Sequence, residues 1–321
     1  MKTATKVWLI VAASLVLLGV LIFAVTMTIL NWDFWKLGTV KNQTNTHDIK
    51  EGFRDISIRT NTADIAFLPS SDGKAKVVCY EAERMRHTVT VTDGTLTVEL
   101  VDTRNWYDHI GIFSGDHSMV TVYLPSGQYG TLTVDEDTGD IGIPKDFTFE
   151  TVTLSLHTGD VTCEASVSGA VKIGTTTGDI RLTDITANSL DLSTTTGDIA
   201  VSSVTCTDDA SVTVSTGDAK LTDLSCKSFR STGSTGELFL TNVIAAERIS
   251  VERSTGDVSF DGCDANELSV TTDTGDVTGS LLSEKIFFAT TDTGKTDVPQ
   301  TLNGGKCEIT TDTGDIRITL R

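Results

Sequence analysis

Residues 193–201 read STTTGDIAV, and close copies of this phrase recur through the second half of the chain. TTTGDIRL at 175–182 and TDTGDIRI at 311–318 are two of them. The glycines of the motif follow one another at intervals of 19 or 20 residues, at Gly139, Gly159, Gly178, Gly197, Gly217, Gly236, Gly256, Gly275, Gly294 and Gly314. Ten copies at so short a period are typical of a solenoid built from stacked coils of chain.

Apolar residues keep fixed distances from each of these turn glycines. Two residues after the glycine stand residues such as Ile180 and Ile199, and five residues before it stand residues such as Ile173 and Leu192. Thr, Ser and Asp occupy most positions between them, and this alternation predicts two short strands per repeat with one buried face. Because one repeat buries too little apolar surface to offset its ordering entropy, the repeats must stack around a shared core.

The sequence therefore predicts an all-β fold, a right-handed parallel β-solenoid of about ten coils of 19–20 residues over residues 131–321. Thr-Gly-Asp is then the corner of each coil. Glycine allows a positive φ, the aspartate can accept hydrogen bonds from turn amides, and threonine suits exposed strand positions. The chain ends in DIRITLR at 315–321, which is expected to form the last strand, with Arg317 and Arg321 pointing outward.

Residues 51–130 carry longer and less regular alternating runs. The stretch 53–69 contains Ala63-Asp64-Ile65, a degenerate copy of the corner, and Asp93-Gly94 is a strong hairpin signal. Terminal repeats of solenoids are commonly atypical. We therefore expect 51–130 to form an antiparallel β cap at the start of the solenoid.

Residues 7–30 form an apolar segment of 24 residues without a charge. This is enough to cross a bilayer as a helix, and it exceeds the apolar core of most cleavable signal peptides. Lys2 and Lys6 precede it, so the positive-inside rule predicts a cytoplasmic tail at 1–6, a signal anchor at 7–30, a linker at 31–50 and an extracellular remainder. A cleaved signal peptide is the alternative.

The charge is unevenly distributed along the chain. Of 25 Lys and Arg and 44 Asp and Glu, residues 131–321 hold 13 and 31. Nucleic-acid binding needs a basic surface, so this balance argues against it. An acidic solenoid favours cations, cationic peptides or basic partner surfaces.

The insertion at 102–118 interrupts the pattern and is the first candidate for ligand binding. Aromatic, acidic and histidine side chains gather in it, namely Trp106, Tyr107, Asp108, His109 and His117. Long loops of this kind often carry binding sites. The alternative is a long hairpin loop whose aromatic rings pack over the start of the solenoid.

Aspartates at successive corners are the candidate metal ligands. Stacked carboxylates suit calcium, and the densest set is Asp273, Asp276, Asp312 and Asp315. The alternative is that they only accept hydrogen bonds from turn amides. No other cofactor is indicated. The six cysteines lack metal-type spacing and are expected to be free and mostly buried, although a Cys206–Cys226 disulfide is conceivable.

The corners at 175–180, 194–199, 274–277 and 313–316, the strands at 96–98 and 122–125 and the apolar N-terminal segment resemble a bacterial family of β-strand-repeat proteins. This family of unknown function is described as "putative adhesins" and includes proteins of the LiaG type. The resemblance covers about residues 50–321. It implies a membrane-anchored ectodomain of the cell envelope, an adhesin or a module linked to envelope stress, and it brings no catalytic residues.

Three functions remain open at the level of sequence. The first is a non-enzymatic surface module that presents a rigid acidic rod to the cell wall, to a partner protein or to cationic peptides. The second is a carbohydrate-active enzyme on a β-helix, although no nucleophile–base pair, phosphate loop or zinc motif is recognisable. The third is a polymer-forming β-helix scaffold.

Overall fold

A computed structural model describes residues 3–32, 42–103 and 118–321. The chain begins with one helix, α1 (Thr3–Ile29). Within it, Thr5–Ile29 has a mean hydropathy of 2.8, long and apolar enough to cross a membrane. This fits the predicted membrane anchor and equally a signal sequence. Everything that follows in the described residues is β structure.

Seven strands form the first part of the β region. They are β1 (Asn42–Asp48), β2 (Asp55–Thr62), β3 (Asp64–Pro69), β4 (Lys76–Ala82), β5 (Met85–Thr92), β6 (Thr95–Asp102) and β7 (Met119–Leu124).

Eleven strands follow through the first regular repeats. They are β8 (Gly127–Thr138), β9 (Ile141–Ile143), β10 (Phe147–Thr158), β11 (Val161–Cys163), β12 (Ser166–Val167), β13 (Ala170–Thr177), β14 (Ile180–Thr183), β15 (Thr186–Ala187), β16 (Ser189–Thr196), β17 (Ile199–Cys206) and β18 (Ala210–Thr216). The remaining strands are β19 (Ala219–Thr235), β20 (Leu238–Thr255), β21 (Val258–Thr274), β22 (Val277–Leu281), β23 (Lys285–Thr293), β24 (Thr296–Asp297), β25 (Gly305–Thr313) and β26 (Ile316–Leu320).

These strands wind into the predicted β-solenoid of about ten turns. The strands that enter the Thr-Gly-Asp corners pair in parallel, with Leu192 beside Ile173 on one side and Val212 on the other. The strands that leave the corners pair likewise, with Ile199 between Ile180 and Ala219. The inward side chains of all coils form one continuous apolar core. The predicted buried positions are therefore confirmed around nine of the ten glycines; at Gly294, Thr296 is exposed and Ala289 is only partly buried.

The corner glycines are required by the stacking of the coils. Gly197 has a φ of 139°, and its amide donates to the carbonyl of Thr216 in the next coil at 3.0 Å. A β-carbon at Gly197 would overlap the carbonyl oxygen of Gly178, the corner glycine of the coil before. Glycine is therefore the residue that meets both the backbone angle and the close approach of successive corners.

A second corner lies six residues after the glycine, and the sequence analysis did not identify it. Its residue adopts a left-handed backbone conformation, with φ between 53° and 65° at Asp184, Ser203, Asp223, Asn242 and Gly262. Asp, Asn and Gly are the residues that tolerate this conformation best. The side-chain amide of Asn242 also donates to Asp223 Oδ1 at 2.6 Å, which links two successive coils.

At both ends of the rod, the order of coils in space differs from their order in the chain. At the N-terminal end, β2 lies between β6 and β8, and β3 lies between β7 and β9. At the C-terminal end, β25 lies between β21 and β23, and β26 lies between β22 and β24. The first and last coils of the chain are thus each hydrogen-bonded on two sides.

The sequence analysis expected residues 315–321 to form the last strand of the rod, and the order of the coils shows that they do not. Arg317 and Arg321 do not belong to an edge strand, because β26 is interior and β23 and β24 form the C-terminal edge of the rod. Arg321 instead fastens the end of the chain, since its guanidinium contacts Asp261 Oδ1 at 2.5 Å and its amide donates to the carbonyl of Leu281 at 3.0 Å.

The antiparallel cap is present, but its bounds differ from the expected 51–130, because it includes β1 (Asn42–Asp48), which falls in the predicted linker at 31–50. It consists of the antiparallel pairs β1–β4, β4–β7 and β5–β6. β2, β3, β6, β7 and β8 join the parallel stack, because their inward residues, such as Ile56 and Val98, match the spacing of the regular coils. All six cysteines are buried free thiols, and Cys206 and Cys226 form no disulfide.

Replacing Gly197 by alanine tests the corner packing. We expect the free energy of unfolding to fall by about 3 kcal/mol or more, because the methyl group overlaps the Gly178 carbonyl and the positive φ is strained. Urea denaturation of the full chain in detergent measures this change. Gly142→Ala is the matched control, since no atom lies within 4 Å of its β-carbon position, and it should leave stability unchanged or raise it by up to about 1 kcal/mol. Equal effects of the two substitutions would contradict the packing argument.

Candidate functional site

The outward side chains of the strands that enter the Thr-Gly-Asp corners form one side of the rod, which we call the corner-strand face. The strands run side by side in the order β6, β2, β8, β10, β13, β16, β18, β19, β20, β21, β25 and β23. At about 4.8 Å per strand, the face is roughly 50 Å long. Because side chains alternate along a strand, this face carries the Ser, Thr and charged residues of the alternating pattern.

Open clefts lie along the corner-strand face. Among four of them the largest, of about 780 Å³, lies over β18–β21 among Ser211, Arg230, Arg248 and Ser250. A second of about 510 Å³ lies closer to the corners on the same strands and includes Thr232. Two smaller clefts, of about 320 and 310 Å³, lie over β10, β13 and β16 and over β2, β6 and β8. The strand stack therefore aligns four clefts on one side of the rod.

Ion pairs balance the charge around the two larger clefts. Arg230 Nη2 lies 3.0 Å from both carboxylate oxygens of Glu252, on the neighbouring strand. Arg248 Nε donates to Glu267 Oε2 at 3.1 Å. These pairs are largely exposed and contribute little to stability, so their main effect is to present neutralised polar groups on an otherwise acidic rod.

The residues three positions before the corner glycines point inward, and the sequence analysis did not separate them from the exposed threonines. Thr194 is buried, and its hydroxyl donates to the carbonyl of Gly178 at 3.0 Å. Thr311 donates to the carbonyl of Gly275 at 3.1 Å in the same way. The first threonine of the repeated phrase thus satisfies a buried corner carbonyl in these two coils, whereas the buried hydroxyl of Thr272 has no hydrogen-bond partner.

Arg253 occupies one of these inward positions, at the base of the 510 Å³ cleft. It is 3% exposed and extends into the space beside Gly233, where a β-carbon would overlap its guanidinium. Its Nη2 donates to Ser231 Oγ at 3.0 Å, whereas Nε and Nη1 are buried without a hydrogen-bond partner. Burial lowers the pKa of Arg253, and the nearby Asp218 opposes that shift.

Glu136 occupies another inward position and is 3% exposed. Its Oε1 accepts a hydrogen bond from the amide of Ala63 at 3.0 Å, and its Oε2 has no partner. Burial raises the pKa of Glu136 to about 8, and the charges of Asp64 and Asp140 act in the same direction. The carboxyl group is therefore protonated at neutral pH.

The corner aspartates form a regular ladder of hydrogen bonds. Asp179 Oδ1 accepts the amide of Asp198 at 2.8 Å, and Asp198 Oδ1 accepts the amide of Asp218 at 2.8 Å. The same contact joins Asp64 to Asp140, Asp140 to Asp160, Asp160 to Asp179, Asp218 to Glu237 and Asp257 to Asp276. The aspartate side chain therefore satisfies an amide of the next corner, which is the structural role that the sequence analysis weighed.

The calcium candidates lie within this ladder. Asp276 Oδ1 accepts the amide of Asp315 at 2.7 Å, and Asp315 Oδ1 accepts the amide of Lys295 at 2.8 Å. Asp273 and Asp312 are exposed on adjacent strands. One carboxylate oxygen of Asp276 and one of Asp315 therefore already accept a hydrogen bond from a backbone amide. Calcium binding at these four residues stays a prediction. Within the described ranges, three metal-type ligand atoms lie within 4.8 Å of one another only at Cys79, Glu81 and His87.

The predicted binding residues of the insertion, Trp106, Tyr107, Asp108, His109 and His117, lie outside the described residues. The insertion joins β6 to β7, which form the coil next to β2 and β3. A ligand site in the insertion therefore stays a prediction.

The match to a protein family covers the β structure from just before β2 to the end of the chain. A family model described as Toastrack DUF4097 matches residues 53–223 and 207–321. No curated protein matches the chain significantly.

Solved structures with low sequence identity resemble the chain. A "putative adhesin" from Bacteroides fragilis is 14% identical, with 87% of this chain and 97% of that chain covered and a TM-score of 0.46. A "putative adhesin" from Parabacteroides distasonis is 12% identical, with 76% and 98% covered and a TM-score of 0.49. A "putative lipid binding protein" from Parabacteroides distasonis is 15% identical, with 86% and 97% covered and a TM-score of 0.46. These likenesses assign no ligand to this chain.

The raised pKa of Glu136 predicts a pH-dependent stability. The unfolded chain releases this proton near pH 4.5 and the folded chain near pH 8, so the stabilising contribution of the proton is complete below about pH 4.5 and is lost as the pH rises through about 8. We expect Glu136→Gln, which stays neutral, to gain on the order of 3 kcal/mol over the unsubstituted chain between pH 5 and pH 9.

Urea denaturation of both full-length chains across this pH range measures the difference. Glu237→Gln is the matched control, because Glu237 stands at an exposed corner and should leave the pH profile unchanged. Parallel profiles for Glu136→Gln and the unsubstituted chain would contradict the assignment of a buried, protonated carboxyl group.

Proposed function

The chain belongs to the Toastrack DUF4097 family, which its model matches over residues 53–223 and 207–321, and from this premise we propose that it is a non-enzymatic, membrane-anchored interaction protein of the cell envelope. In this proposal α1 holds the chain in the membrane and the solenoid projects outward as a rigid rod. The corner-strand face binds an envelope polymer, and we infer an uncharged or cationic polysaccharide of the cell wall.

The observation that carries the proposal is the alignment of the four clefts on one side of the rod. Single polar clefts are common on proteins, but a row about 50 Å long suits a ligand that is itself long and repetitive. The clefts offer hydroxyl groups such as Ser211, Ser250 and Thr232, together with two Arg–Glu pairs. Such groups can donate and accept hydrogen bonds with sugar hydroxyls.

Charge narrows the choice of polymer. The formal net charge of the chain is −19, so an anionic polymer would be repelled over the length of the rod. The exposed arginines at the larger clefts, Arg230 and Arg248, are paired with Glu252 and Glu267, and Arg253 is buried beneath the 510 Å³ cleft. An uncharged or cationic polysaccharide meets no such repulsion. A cationic peptide or a basic partner surface would satisfy the same electrostatics, and the experiment below separates these outcomes.

One feature of the clefts favours binding over turnover. The residues that line the four clefts include no histidine or cysteine, which are common catalytic groups. Release of reducing ends from the polymer by the purified chain would instead support the carbohydrate-active enzyme.

The membrane orientation is part of the proposal. Lys2 and Lys6 precede the apolar segment, and a positive flank favours the cytoplasmic side. The rod would then lie outside the membrane, within reach of the wall. A cytoplasmic polymer-forming scaffold would require the opposite orientation.

Co-sedimentation of the full chain in nanodiscs with purified cell-wall polysaccharide tests the proposed face. We expect Ser250→Trp to weaken binding by at least about tenfold, because the indole ring fills the largest cleft. Thr241→Trp is the matched control, since it lies on the same strand, outside the strand segment that enters the corner, and should bind like the unsubstituted chain. Equal binding by both variants, or binding of cationic peptide alone, would overturn the proposed polysaccharide face.

Protease treatment of intact cells tests the orientation. We expect added protease to cleave exposed lysine and arginine sites of the rod, such as Lys172 and Lys220, in intact cells and in lysed cells alike. Immunodetection of a C-terminal tag and of a cytoplasmic control protein reports cleavage and cell integrity. Full protection of the rod in intact cells with cleavage after lysis would place it in the cytoplasm and refute the proposed topology.

A further inference from the structure

A cluster of polar side chains lies in the N-terminal cap, away from the corner-strand face. Cys79 and Glu81 are two residues apart on β4 and point to the same inward side. The turn between β4 and β5 brings His87 beside them. A potential ligand atom of each residue lies within 4.8 Å of those of the other two, and all three residues are at most 3% exposed. Three metal-type ligands are thus gathered in an otherwise apolar part of the core.

The orientation of these side chains is fixed by hydrogen bonds. Glu81 Oε2 lies 2.8 Å from His87 Nδ1 and accepts the backbone amide of His87 at 2.6 Å. Glu81 Oε1 accepts the side-chain amide of Asn45 at 2.5 Å, and His87 Nε2 lies 3.0 Å from Thr60 Oγ1. Carboxylate and hydroxyl partners that orient an imidazole are a common feature around metal-binding histidines.

A second and independent observation comes from β1, which covers the same side of β4. Its antiparallel register places Asn45 opposite Cys79 and His47 opposite Val77. His47 Nε2 is buried and has no hydrogen-bond partner. A buried polar atom without a partner costs about 1–3 kcal/mol, and an ion that the atom binds is one explanation for it. In such a register His47 is a diagonal neighbour of Cys79, about 7–8 Å away between backbones. The ring nitrogens of His47 do not lie within 4.8 Å of the ligand atoms of all three other residues, so its side chain would rotate to bind the same ion.

We propose that Cys79, Glu81, His87 and His47 bind one divalent transition metal ion of the zinc class. One thiolate, one carboxylate and two imidazoles form a four-ligand set that suits tetrahedral Zn²⁺. The hard cations Ca²⁺ and Mg²⁺ are disfavoured, because they prefer an all-oxygen shell.

Binding of the ion changes the protonation of the cluster. Burial raises the pKa of Cys79 to about 12, and the charge of Glu81 adds to this effect, so without a metal the sulfur is a thiol. As the metal–sulfur bond forms, the S–H bond breaks and its proton leaves to water. The two imidazoles bind as neutral rings through a nitrogen lone pair, and the metal replaces one hydrogen bond of His87. No oxidant or other reactant is needed.

The proposed site would join three strands of the cap. His47 belongs to β1, which follows the linker from the membrane and pairs only with β4 among the described strands. A metal bound by residues of β1, β4 and β5 would fix β1 to the end of the solenoid. It would thereby also fix the position at which the chain enters the solenoid from the linker. This role is independent of the polysaccharide-binding face.

Cobalt substitution tests the site in the full chain, purified in detergent without a histidine tag and freed of metal with a chelator. We expect one equivalent of Co²⁺ to bind and to give a near-ultraviolet thiolate-to-metal charge-transfer band that Zn²⁺ abolishes. Cys79→Ser should lose the band. Cys163→Ser, at another buried cysteine, is the matched control and should retain it. Absence of bound cobalt, binding without the band, or a band that survives in Cys79→Ser would each overturn the proposal.

A second variant keeps the test decisive if Cys79→Ser does not fold. His47 lies on the outermost strand of the cap and is only half-buried, so His47→Gln should fold, as circular dichroism would verify. We expect its Zn²⁺ affinity, measured by competition with a chromophoric chelator, to fall by about tenfold or more. Unchanged affinity in folded His47→Gln would overturn the four-ligand site.

Discussion

The contact between successive corners determines the geometry of the whole rod. Each corner glycine from Gly159 to Gly275 lies against the carbonyl group of the corner glycine in the preceding coil, closely enough to leave no space for a β-carbon. The corner aspartate then accepts an amide of the next corner, and the buried threonine three positions earlier donates to a corner carbonyl. Because these contacts repeat at one place in every coil, they fix the register of the strands on both sides. The apolar core stabilises the stack, whereas the corners determine how it is aligned.

Much of the regular fold is predictable from the sequence because its signals are local and repeated. The glycine period gives the coil, and residues such as Leu192 and Ile199 mark the buried face by their spacing alone. The inward threonines were missed, since Thr194 and the exposed Thr195 are the same residue type in the same run, and only the pleat separates them. The corner at Asp184 and Asn242 was missed because no single residue type marks it, although Asp, Asn and Gly share a tolerance for its backbone conformation.

The features that could not be predicted depend on contacts between distant parts of the chain. Nothing in the spacing of β25 indicates that it lies between β21 and β23, because all three strands have the same alternating pattern. The cluster of Cys79, Glu81 and His87 forms only when β4 and β5 fold back on each other, and its spacing matches no familiar metal motif. Arg253 and Glu136 occupy inward positions at which most other repeats have a small or apolar residue. Alignment of the repeats position by position would have revealed these two exceptions.

The altered order of coils at the two ends limits how such a rod can change its length over evolution. Duplication of one repeat between Gly159 and Gly256 adds a coil that stacks on neighbours of the same kind, so existing pairings are preserved. Duplication of a repeat at either end would have to place the new coil between strands that are neighbours in space but not in the chain, such as β2 and β8 or β21 and β25. Lengthening of the protein is therefore expected to occur in its middle, while the two terminal arrangements are inherited as fixed units.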